Sequence, residues 1–270
     1  MNIHEKAVVE PQAKIHDTVI VGPYAVIGAD VVIGKGSTVD AHAVIAGHTT
    51  IGENNHIGSF TSIGTPPQDV HYKGEPTELI IGDNNQIREY VSIHRGTVDG
   101  NGKTVIGNNN LLMAYTHVAH DCIIHDHVIM ANVATLAGHV ELGNHVNLGG
   151  LAAIHQFCRV GDFSYIGGMS GISKDVPPYV IVTGTRKRMR ISGVNKIGMR
   201  RNGMSQAVVA ELEKAYKMIY RSSAETLLKD SLTEIEEQFK KCAEVQAMVE
   251  FFRTSSRGVV KNTGKDLGCD

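Results

Sequence analysis

An aliphatic residue recurs at every sixth position along most of this chain, and this period constrains the fold more than any other feature of the sequence. It begins at Ile3, is interrupted after Ile63, and returns in the same phase at Ile81. A second interruption after Ile93 shifts the count by one, and the period then runs unbroken over residues 106–172. A repeat of this length indicates a solenoid, in which each short unit buries its apolar side chain by stacking on the next.

The spacing fits neither an ordinary helix, with apolar residues three and four apart, nor a single amphipathic strand. A small or β-branched residue usually stands two positions before each aliphatic one, and glycine often follows it, as at Gly22, Gly28 and Gly34. Short strands with one large and one small inward residue, separated by turns in which glycine tolerates unusual dihedrals, predict a parallel β-helix. The pattern resembles the hexapeptide-repeat acyltransferases, which implies an all-β, left-handed prism with three hexads in each coil.

The two interruptions predict excursion loops near residues 65–79 and 94–104. From Ser205, a plausible N-cap, apolar residues recur three and four apart, which predicts a helix. Further helices are expected over residues 232–242 and 245–253. We therefore expect a left-handed β-helix acyltransferase domain over residues 1–184, a C-terminal α-helical domain over 185–260 that caps the open end of the solenoid, and a flexible tail over 261–270.

Composition and charge indicate the cellular location and exclude some classes of partner. The first residues are polar, and no segment approaches the ~20 apolar residues of a membrane span, so we expect a cytoplasmic protein without stable membrane insertion. A formal net charge of -2 gives no overall attraction to nucleic acid. The cysteines lie too far apart in sequence for a metal-type pair and are expected to be reduced thiols; they are Cys122, Cys158, Cys242 and Cys269.

Eighteen residues per coil would bring several polar residues to one corner of the prism. His120 would stack on Gly138 and then on Gln156, and it should point outward because it stands two positions after the inward Val118. The neighbouring columns add more polar side chains. The corner would then gather His120, Asp121, His139, His155 and Gln156.

An imidazole at this corner is suited to acyl transfer. With an unperturbed pKa near ~6.5, it can accept a hydroxyl proton at neutral pH and return it to a leaving thiolate. We assign the general base to His120, an orienting carboxylate to Asp121 and an oxyanion donor to the backbone N–H of Gly138. The contact with Asp121 requires a turn, because adjacent side chains on a strand point in opposite directions. No metal and no Ser or Cys nucleophile is needed.

Other interpretations stay open at this point. Most of the 14 histidines are expected to be ordinary polar surface. Outward histidines on neighbouring coils can also chelate zinc, as in a left-handed γ-class carbonic anhydrase. A non-catalytic scaffold or sugar-nucleotide-binding solenoid would carry the same repeats, although the clustered histidines argue against it.

Several motifs are more specific than the repeats. They span residues 68–76 (QDVHYKGEP), 93–98 (IHRGTV), 110–113 (NLLM), 117–122 (HVAHDC), 134–140 (ATLAGHV), 155–158 (HQFC), 175–180 (DVPPYV) and 215–221 (AYKMIYR). Together they resemble the UDP-N-acetylglucosamine acyltransferase family, from the first hexads to about Lys261. The resemblance implies transfer of an (R)-3-hydroxyacyl group from acyl carrier protein to the 3-hydroxyl of UDP-N-acetylglucosamine, the first step of lipid A biosynthesis. It also implies a homotrimer with active sites between adjacent prisms.

The same resemblance implies residue roles, with His120 as the family's general base. It implies no cofactor beyond the phosphopantetheine that carries the acyl donor on acyl carrier protein. Gly168 falls where the family sets acyl-chain length, and the absence of a side chain there favours a longer chain. Substrate-binding positions are implied for Asp69, His71, Tyr72, Lys73, His117, His139, His155, Gln156, Gly168, Asn195 and Arg201.

Three positions depart from the family. His71 stands where a lysine is common, although Lys73 is close, and Ile197 and Asn202 replace an expected glutamate and arginine. The stretch between Gly184 and Gly193 is two residues longer than expected. These departures leave the 3-amino analogue of the sugar nucleotide open as an acceptor.

A basic stretch follows the prism, and it is either a solvated surface or a docking site for acidic acyl carrier protein. Its members are Arg186, Lys187, Arg188, Arg190, Lys196, Arg200 and Arg201.

Overall fold

A computed structural model describes residues 2–185, 187–220 and 227–263 of the chain. Arg186 of the basic stretch, Arg221 of the last motif, Cys269 and residues 264–270 of the predicted tail lie outside these ranges. Over most of the described length the chain winds as a left-handed parallel β-helix, which confirms the predicted fold.

Three sheets form the faces of the prism. The eleven-stranded sheet contains Asn2–Ile3, Ile20–Val21, Thr38–Val39, His56–Ile57, Gln86–Ile87, Leu111–Leu112, Ile129–Met130, Asn147–Leu148, Tyr165–Ile166, Val180–Thr183 and Arg190–Val194. The nine-stranded sheet contains Val8–Val9, Val26–Ile27, Val44–Ile45, Ser62–Thr65, Ser92–His94, His117–Val118, Thr135–Leu136, Ala153–Ile154 and Gly171–Ile172. The eight-stranded sheet contains Lys14–Ile15, Val31–Ile33, His48–Ile51, Glu78–Ile81, Lys103–Ile106, Ile123–Ile124, Glu141–Leu142 and Arg159–Val160.

The strand register confirms a coil of eighteen residues and shows where the excursions enter. Val118 pairs with Leu136, one regular coil further along the chain. Ile63 instead pairs with Ile93, and Ile93 pairs with Val118, so these two coils are longer than the rest. Because every strand returns to the same phase, the aliphatic residue of each hexad points inward; Ile63, Ile93 and Val118 are all completely buried. Burying each such side chain stabilises the fold by ~2 kcal/mol.

The turns differ from the prediction in their use of glycine. We expected glycine after the aliphatic residue to supply unusual dihedrals; Gly64, after Ile63, does so with a φ of 70°, but Gly22 and Gly28 do not. Gly34 has no positive φ, and it is small because a methyl group there would lie 2.6 Å from the carbonyl oxygen of Gly52 in the next coil. The positive φ angles fall three residues after the aliphatic position, mostly on larger residues, such as Asp121 at 59° and His139 at 61°.

The chain beyond the prism begins with a strand that the sequence did not predict. Arg190–Val194 pairs antiparallel with Val180–Thr183, so the largest sheet continues past residue 184. In the part of this region that the structure describes, four helices follow: α1 (Lys196–Arg201), α2 (Gln206–Tyr220), α3 (Leu228–Gln238) and α4 (Ala243–Thr254). The Ser205 hydroxyl accepts a hydrogen bond from the N–H of Val208, as expected of an N-cap.

The helices pack onto the end of the prism. The Tyr216 hydroxyl of α2 donates to the carbonyl of Ile191 at 2.9 Å. Part of the segment predicted as a flexible tail is fixed, because the N–H of Thr263 donates to the carbonyl of Met189 at 3.0 Å and the N–H of Ile191 donates to the side chain of Asn262. Among the described helices, none has the length and apolar character that would let it cross a membrane.

Candidate active site

His120 and Asp121 lie in the turn between the nine-stranded and eight-stranded sheets, at one corner of the prism. The φ of 59° at Asp121 reverses the direction that its side chain would take in an extended strand. As a result, Nδ1 of His120 lies 2.9 Å from Oδ2 of Asp121. The turn that the predicted contact required is therefore present.

The Asp121 carboxylate fixes the tautomer of His120. Burial alone would raise the pKa of this carboxyl, but hydrogen bonds from Thr97, His120 and Asn101 outweigh burial and lower the pKa below its usual value. The group is therefore ionised at neutral pH, and an ionised carboxylate only accepts hydrogen bonds, so Nδ1 of His120 carries the proton. In the neutral imidazole, this tautomer leaves the lone pair of Nε2 available to accept a proton.

Gly138 lies against the imidazole ring of His120, in the column predicted from the coil length. A methyl group on Gly138 would come within 2.6 Å of Cε1 and 2.7 Å of Nε2 of that ring. The N–H of the next residue, His139, donates to the carbonyl of His120 at 3.0 Å and holds the two coils together. Within the described ranges the backbone N–H of Gly138 has no acceptor. A free donor therefore sits on the residue that the ring covers.

His139 borders the same corner. Its ring packs edge-on against that of His120, with centroids 5.1 Å apart, and stacks on the ring of Phe157 at 4.4 Å. Burial lowers the pKa of His139, and the charges of Asp121 and Asp69 oppose this effect only in part. His139 is therefore neutral at pH 7 and offers hydrogen bonds without a competing positive charge.

Two more histidines lie near this group. Nδ1 of His117 lies 2.7 Å from the hydroxyl of Ser92, and its ring packs edge-on against His94 at 5.1 Å. His94 is buried, and its Nδ1 has no hydrogen-bond partner in the described chain. Burial lowers the pKa of His94 to about 4 and also lowers that of His117. The sequence reasoning missed His94 because it opens an excursion, outside the eighteen-residue columns; its place in the motif at 93–98 was the available signal.

The first excursion is anchored beside this corner by Arg95, a second buried residue that was not predicted. Its guanidinium donates to the carbonyl of Gly64 at 2.9 Å and to the hydroxyl of Tyr72 at 2.7 Å. The Tyr72 hydroxyl in turn donates to the carbonyl of Glu75. Tyr72 is thus used to hold the loop, and its expected contact with substrate stays a prediction.

The other predicted residues of this excursion lie along its surface. Asp69 accepts the N–H of His71 at 2.8 Å, and Nδ1 of His71 lies 3.4 Å from the same carboxylate oxygen. The side chains of His71 and Lys73 are exposed. Asp69 is close enough for its charge to raise the pKa of His139, so this part of the loop faces the corner.

His155 and Gln156 occupy the next coil and are exposed at the same corner. The N–H of Phe157 donates to the carbonyl of Gly138, which continues the column from His120 through Gly138 to Gln156. Nδ1 of His155 lies 3.3 Å from the guanidinium of Arg257. Both side chains are therefore accessible at this corner, one coil beyond Gly138.

Asn195 and Arg201 lie elsewhere. Together with the departing positions Ile197 and Asn202, they line a groove of about 610 Å³ on the outer face of the eleven-stranded sheet, away from the His120 corner. Gly168 is exposed at a third place, the corner between the eleven-stranded and nine-stranded sheets. One chain thus does not bring all the predicted site residues together.

A zinc site fits this corner poorly. His120, Asp121 and His139 offer three ligand atoms within 4.8 Å of one another. However, the Asp121 oxygens already accept hydrogen bonds from Thr97, Asn101 and His120, and the His120 nitrogen nearest to them is the one that carries a proton. His120 and Asp121 are therefore engaged as a hydrogen-bonded pair rather than as open metal ligands.

The prism and its corner define a hexapeptide-repeat transferase, and comparison with known proteins agrees. The bacterial transferase hexapeptide model matches residues 30–65 and 103–138, and the model of UDP N-acetylglucosamine O-acyltransferase, domain 2, matches residues 175–260. The chain belongs to the family of acyl-[acyl-carrier-protein]–UDP-N-acetylglucosamine O-acyltransferases. This confirms the resemblance seen in the motifs.

The similarity covers most of the chain. The acyl-[acyl-carrier-protein]–UDP-N-acetylglucosamine O-acyltransferase of Halorhodospira halophila is 47% identical over 199 residues, which are 73% of this chain and 75% of that protein. The structure of UDP-N-acetylglucosamine O-acyltransferase from Moraxella catarrhalis has a TM-score of 0.92 at 42% identity and covers 97% of this chain and 100% of that one. The Francisella novicida enzyme gives 0.92 at 38% identity, covering 96% and 94%.

Proposed function

We propose that this chain transfers a 3-hydroxyacyl group from acyl carrier protein to the 3-hydroxyl of UDP-N-acetylglucosamine, with His120 as general base. The observation that carries the proposal is the pair formed by His120 and the buried Asp121, because a neutral imidazole that donates from Nδ1 to this carboxylate presents Nε2 as a proton acceptor beside Gly138. Family membership supports the identity of the two substrates. The reaction is the first step of lipid A biosynthesis and takes place in the cytoplasm.

The first step is attack by the sugar. Nε2 of His120 accepts the proton of the 3-hydroxyl while the sugar oxygen bonds to the thioester carbonyl carbon. The imidazolium that forms lies next to the ionised Asp121, which stabilises it without taking its proton. The carbonyl oxygen becomes an oxyanion, and the unpaired N–H of Gly138 is the proposed donor to it.

The second step expels the carrier. The carbon–sulfur bond breaks, the thiolate of the phosphopantetheine leaves, and His120 returns the proton to the sulfur. The transfer is direct, because the acceptor oxygen itself attacks the thioester. The remaining predicted residues then position the reactants: Asp69, His71, Tyr72, Lys73, His117, His139, His155 and Gln156 around the sugar and the acyl chain.

The separation of the predicted residues supports a site built from two chains. Asn195 and Arg201 line a groove on one sheet, whereas His120 occupies the opposite corner of the same prism. A nucleotide held by the first pair reaches a base like His120 only if the base belongs to a neighbouring copy. We therefore propose a homotrimer in which each site lies between two prisms, with the exposed Gly168 bordering the acyl-chain groove.

An oxygen acceptor is favoured over the 3-amino analogue. The relatives are named O-acyltransferases, and the departures at Ile197 and Asn202 lie in the groove proposed for the nucleotide, away from the reacting corner. The zinc alternative is not favoured either, because the Asp121 oxygens are already occupied by hydrogen bonds.

The proposal is tested by an assay that offers two acceptors, UDP-N-acetylglucosamine and its 3-amino analogue. Each acceptor is combined with 3-hydroxyacyl carrier proteins of several chain lengths. Mass spectrometry of the products identifies the bond that forms. We expect an ester on the 3-hydroxyl. An amide formed faster than the ester, or no product from any pair of substrates, would contradict the assignment.

A further inference from the structure

We propose that the second excursion is a positioning device for catalysis, in which Thr97 and Asn101 hold the Asp121 carboxylate in the orientation that fixes His120. This inference rests on the proposed function, because it concerns the same base. Thr97 and Asn101 contact no reacting atom in this scheme, so both are positioning residues.

The contacts divide the two carboxylate oxygens between the loop and the base. Oδ1 of Asp121 accepts the N–H of Asn101 at 2.8 Å and that of Thr97 at 3.2 Å. Oδ2 accepts the Thr97 hydroxyl at 2.7 Å, the Thr97 N–H at 3.0 Å and Nδ1 of His120 at 2.9 Å. In the described parts of the chain, every donor to this carboxylate other than His120 comes from the excursion.

The excursion is shaped to close over Asp121. A methyl group on Gly100 would lie 2.4 Å from Cγ and Oδ1 of Asp121, so the loop approaches the carboxylate as closely as glycine permits. The N–H groups of Gly100 and Gly102 both donate to the carbonyl of Thr97, at 3.2 and 2.9 Å, and so close the loop on itself. Thr97 is 4% exposed, and its hydroxyl is aimed inward at the carboxylate. The second excursion therefore covers the Asp121 carboxylate.

The number of hydrogen-bond donors to Asp121 affects how strongly this carboxylate interacts with the titratable groups around it. His120 contacts it directly, and Nε2 of His139 lies 3.9 Å from Oδ2. The thiol of the adjacent Cys122 stays neutral because burial raises its pKa to about 12, and Asp69 acts on His139 from the first excursion. A carboxylate that loses a loop donor interacts more strongly with the proton of His120, and the base then becomes available only at higher pH.

A pair of substitutions at Thr97 distinguishes the effect of the hydroxyl from the effect of the side-chain shape. Thr97→Val keeps the shape and removes the donor, whereas Thr97→Ser keeps the donor. Thr49→Val is the matched control, because Thr49 is also buried and its hydroxyl donates at the same 2.7 Å to the carbonyl of Ala46, without a hydrogen bond to Asp121 or His120. The measurement is kcat and KM for both substrates across the pH range.

We expect Thr97→Val to lower kcat about tenfold, which corresponds to about 1.4 kcal/mol, with KM nearly unchanged and the acid limb of the pH profile moved to higher pH. Thr97→Ser should stay within about twofold of the wild type, since its charge-assisted hydrogen bond is retained. Thr49→Val should leave the acid limb in place. The proposal is overturned if Thr97→Val retains both the wild-type kcat and the wild-type acid limb, or if Thr97→Ser loses as much as Thr97→Val.

A second readout does not depend on turnover. The histidine ring resonances of ¹⁵N-labelled protein are titrated by NMR, and the signal lost in His120→Gln identifies His120. We expect this ring to titrate at higher pH in Thr97→Val and at the wild-type pH in Thr49→Val. An unchanged titration in Thr97→Val would overturn the positioning role. If the wild type does not turn over the proposed substrates, the proposed function fails, but the titration still decides the role of the loop.

Discussion

The imidazole of His120 covers the α-carbon of Gly138 so closely that a methyl group there would lie 2.6 Å from Cε1 of the ring. This relationship links two successive coils and sets where the proposed base and the proposed oxyanion donor meet. Gly138 is therefore required for its size, since its φ is not in the left-handed region.

Gly138→Ala keeps the backbone N–H but should displace the His120 ring, and it should lower kcat about a hundredfold, the lower end of the range that a positioned acid–base group contributes. Because the clash is with a side chain that can move outward, we expect the variant to fold. Gly28→Ala is the control, since a methyl group at Gly28 would meet nothing closer than 3.5 Å. Steady-state kinetics and thermal unfolding check both, and wild-type turnover by Gly138→Ala would contradict the proposed geometry.

Much of this site could be predicted from the length of the coil. Once eighteen residues make a coil, His120, Gly138 and Gln156 fall into one column, and the register places them there. What the period does not encode is the positive φ at Asp121, which appears on a non-glycine residue. The six-residue period also carries no information about the excursions. Thr97 and His94 were therefore missed, although Thr97 contacts Asp121 and His94 contacts His117.

The region beyond the prism was predicted less completely, for a similar reason. Helix α2 has a clear three-and-four spacing and a capping serine, and it was found. The strand Arg190–Val194 lies in a basic stretch with little apolar alternation, and its antiparallel partner is set by the end of the prism rather than by local sequence.

Burial of His94 should make the stability of the fold depend on pH. The pKa of this group is lowered from 6.5 to about 4 in the folded protein. Between these values the unfolded chain binds the extra proton, so the free energy of unfolding falls as pH drops from 6.5 towards 4 and levels off below it. Conversely, this part of the stability is fully present above pH 6.5.

His94→Gln should remove part of that pH dependence, on the order of a few kcal/mol at most. Urea unfolding of wild type and variant at several pH values between neutral and 4 measures it. The exposed His4, replaced by Gln, serves as the control and should leave the dependence unchanged. Identical slopes for wild type and His94→Gln would show that His94 titrates normally in the folded protein.

The basic stretch predicts where acyl carrier protein docks. Arg188 and Arg190 are exposed, and reversing both charges with Glu should raise KM for the acyl carrier protein several-fold while changing KM for the sugar nucleotide little. The double reversal of Lys14 and Lys35, exposed on the first coils of the prism, should change neither value. Equal increases for both substrates in the Arg188 and Arg190 variant would count against docking there.

Gly168 offers a test of acyl-chain selection. It is exposed, and a Cβ there would meet the backbone of Gly150, with the carbonyl oxygen at 3.2 Å and the nitrogen at 3.8 Å. Gly168→Leu should therefore fold with a small local shift and shorten the preferred acyl chain, because the added atoms would occupy the proposed acyl-chain groove. Competition among acyl carrier proteins of different lengths, read by mass spectrometry, measures the preference; an unchanged preference would place the end of the acyl chain elsewhere.

His120, oriented by Asp121, is the proposed base of the acyl transfer. The most direct measurement is kcat for His120→Gln together with the dissociation constant of UDP-N-acetylglucosamine determined by calorimetry. We predict that kcat falls by a factor of about 10³ or more, while the dissociation constant stays within a few-fold of the wild-type value. A variant that keeps kcat within tenfold of the wild type while binding normally would contradict the account.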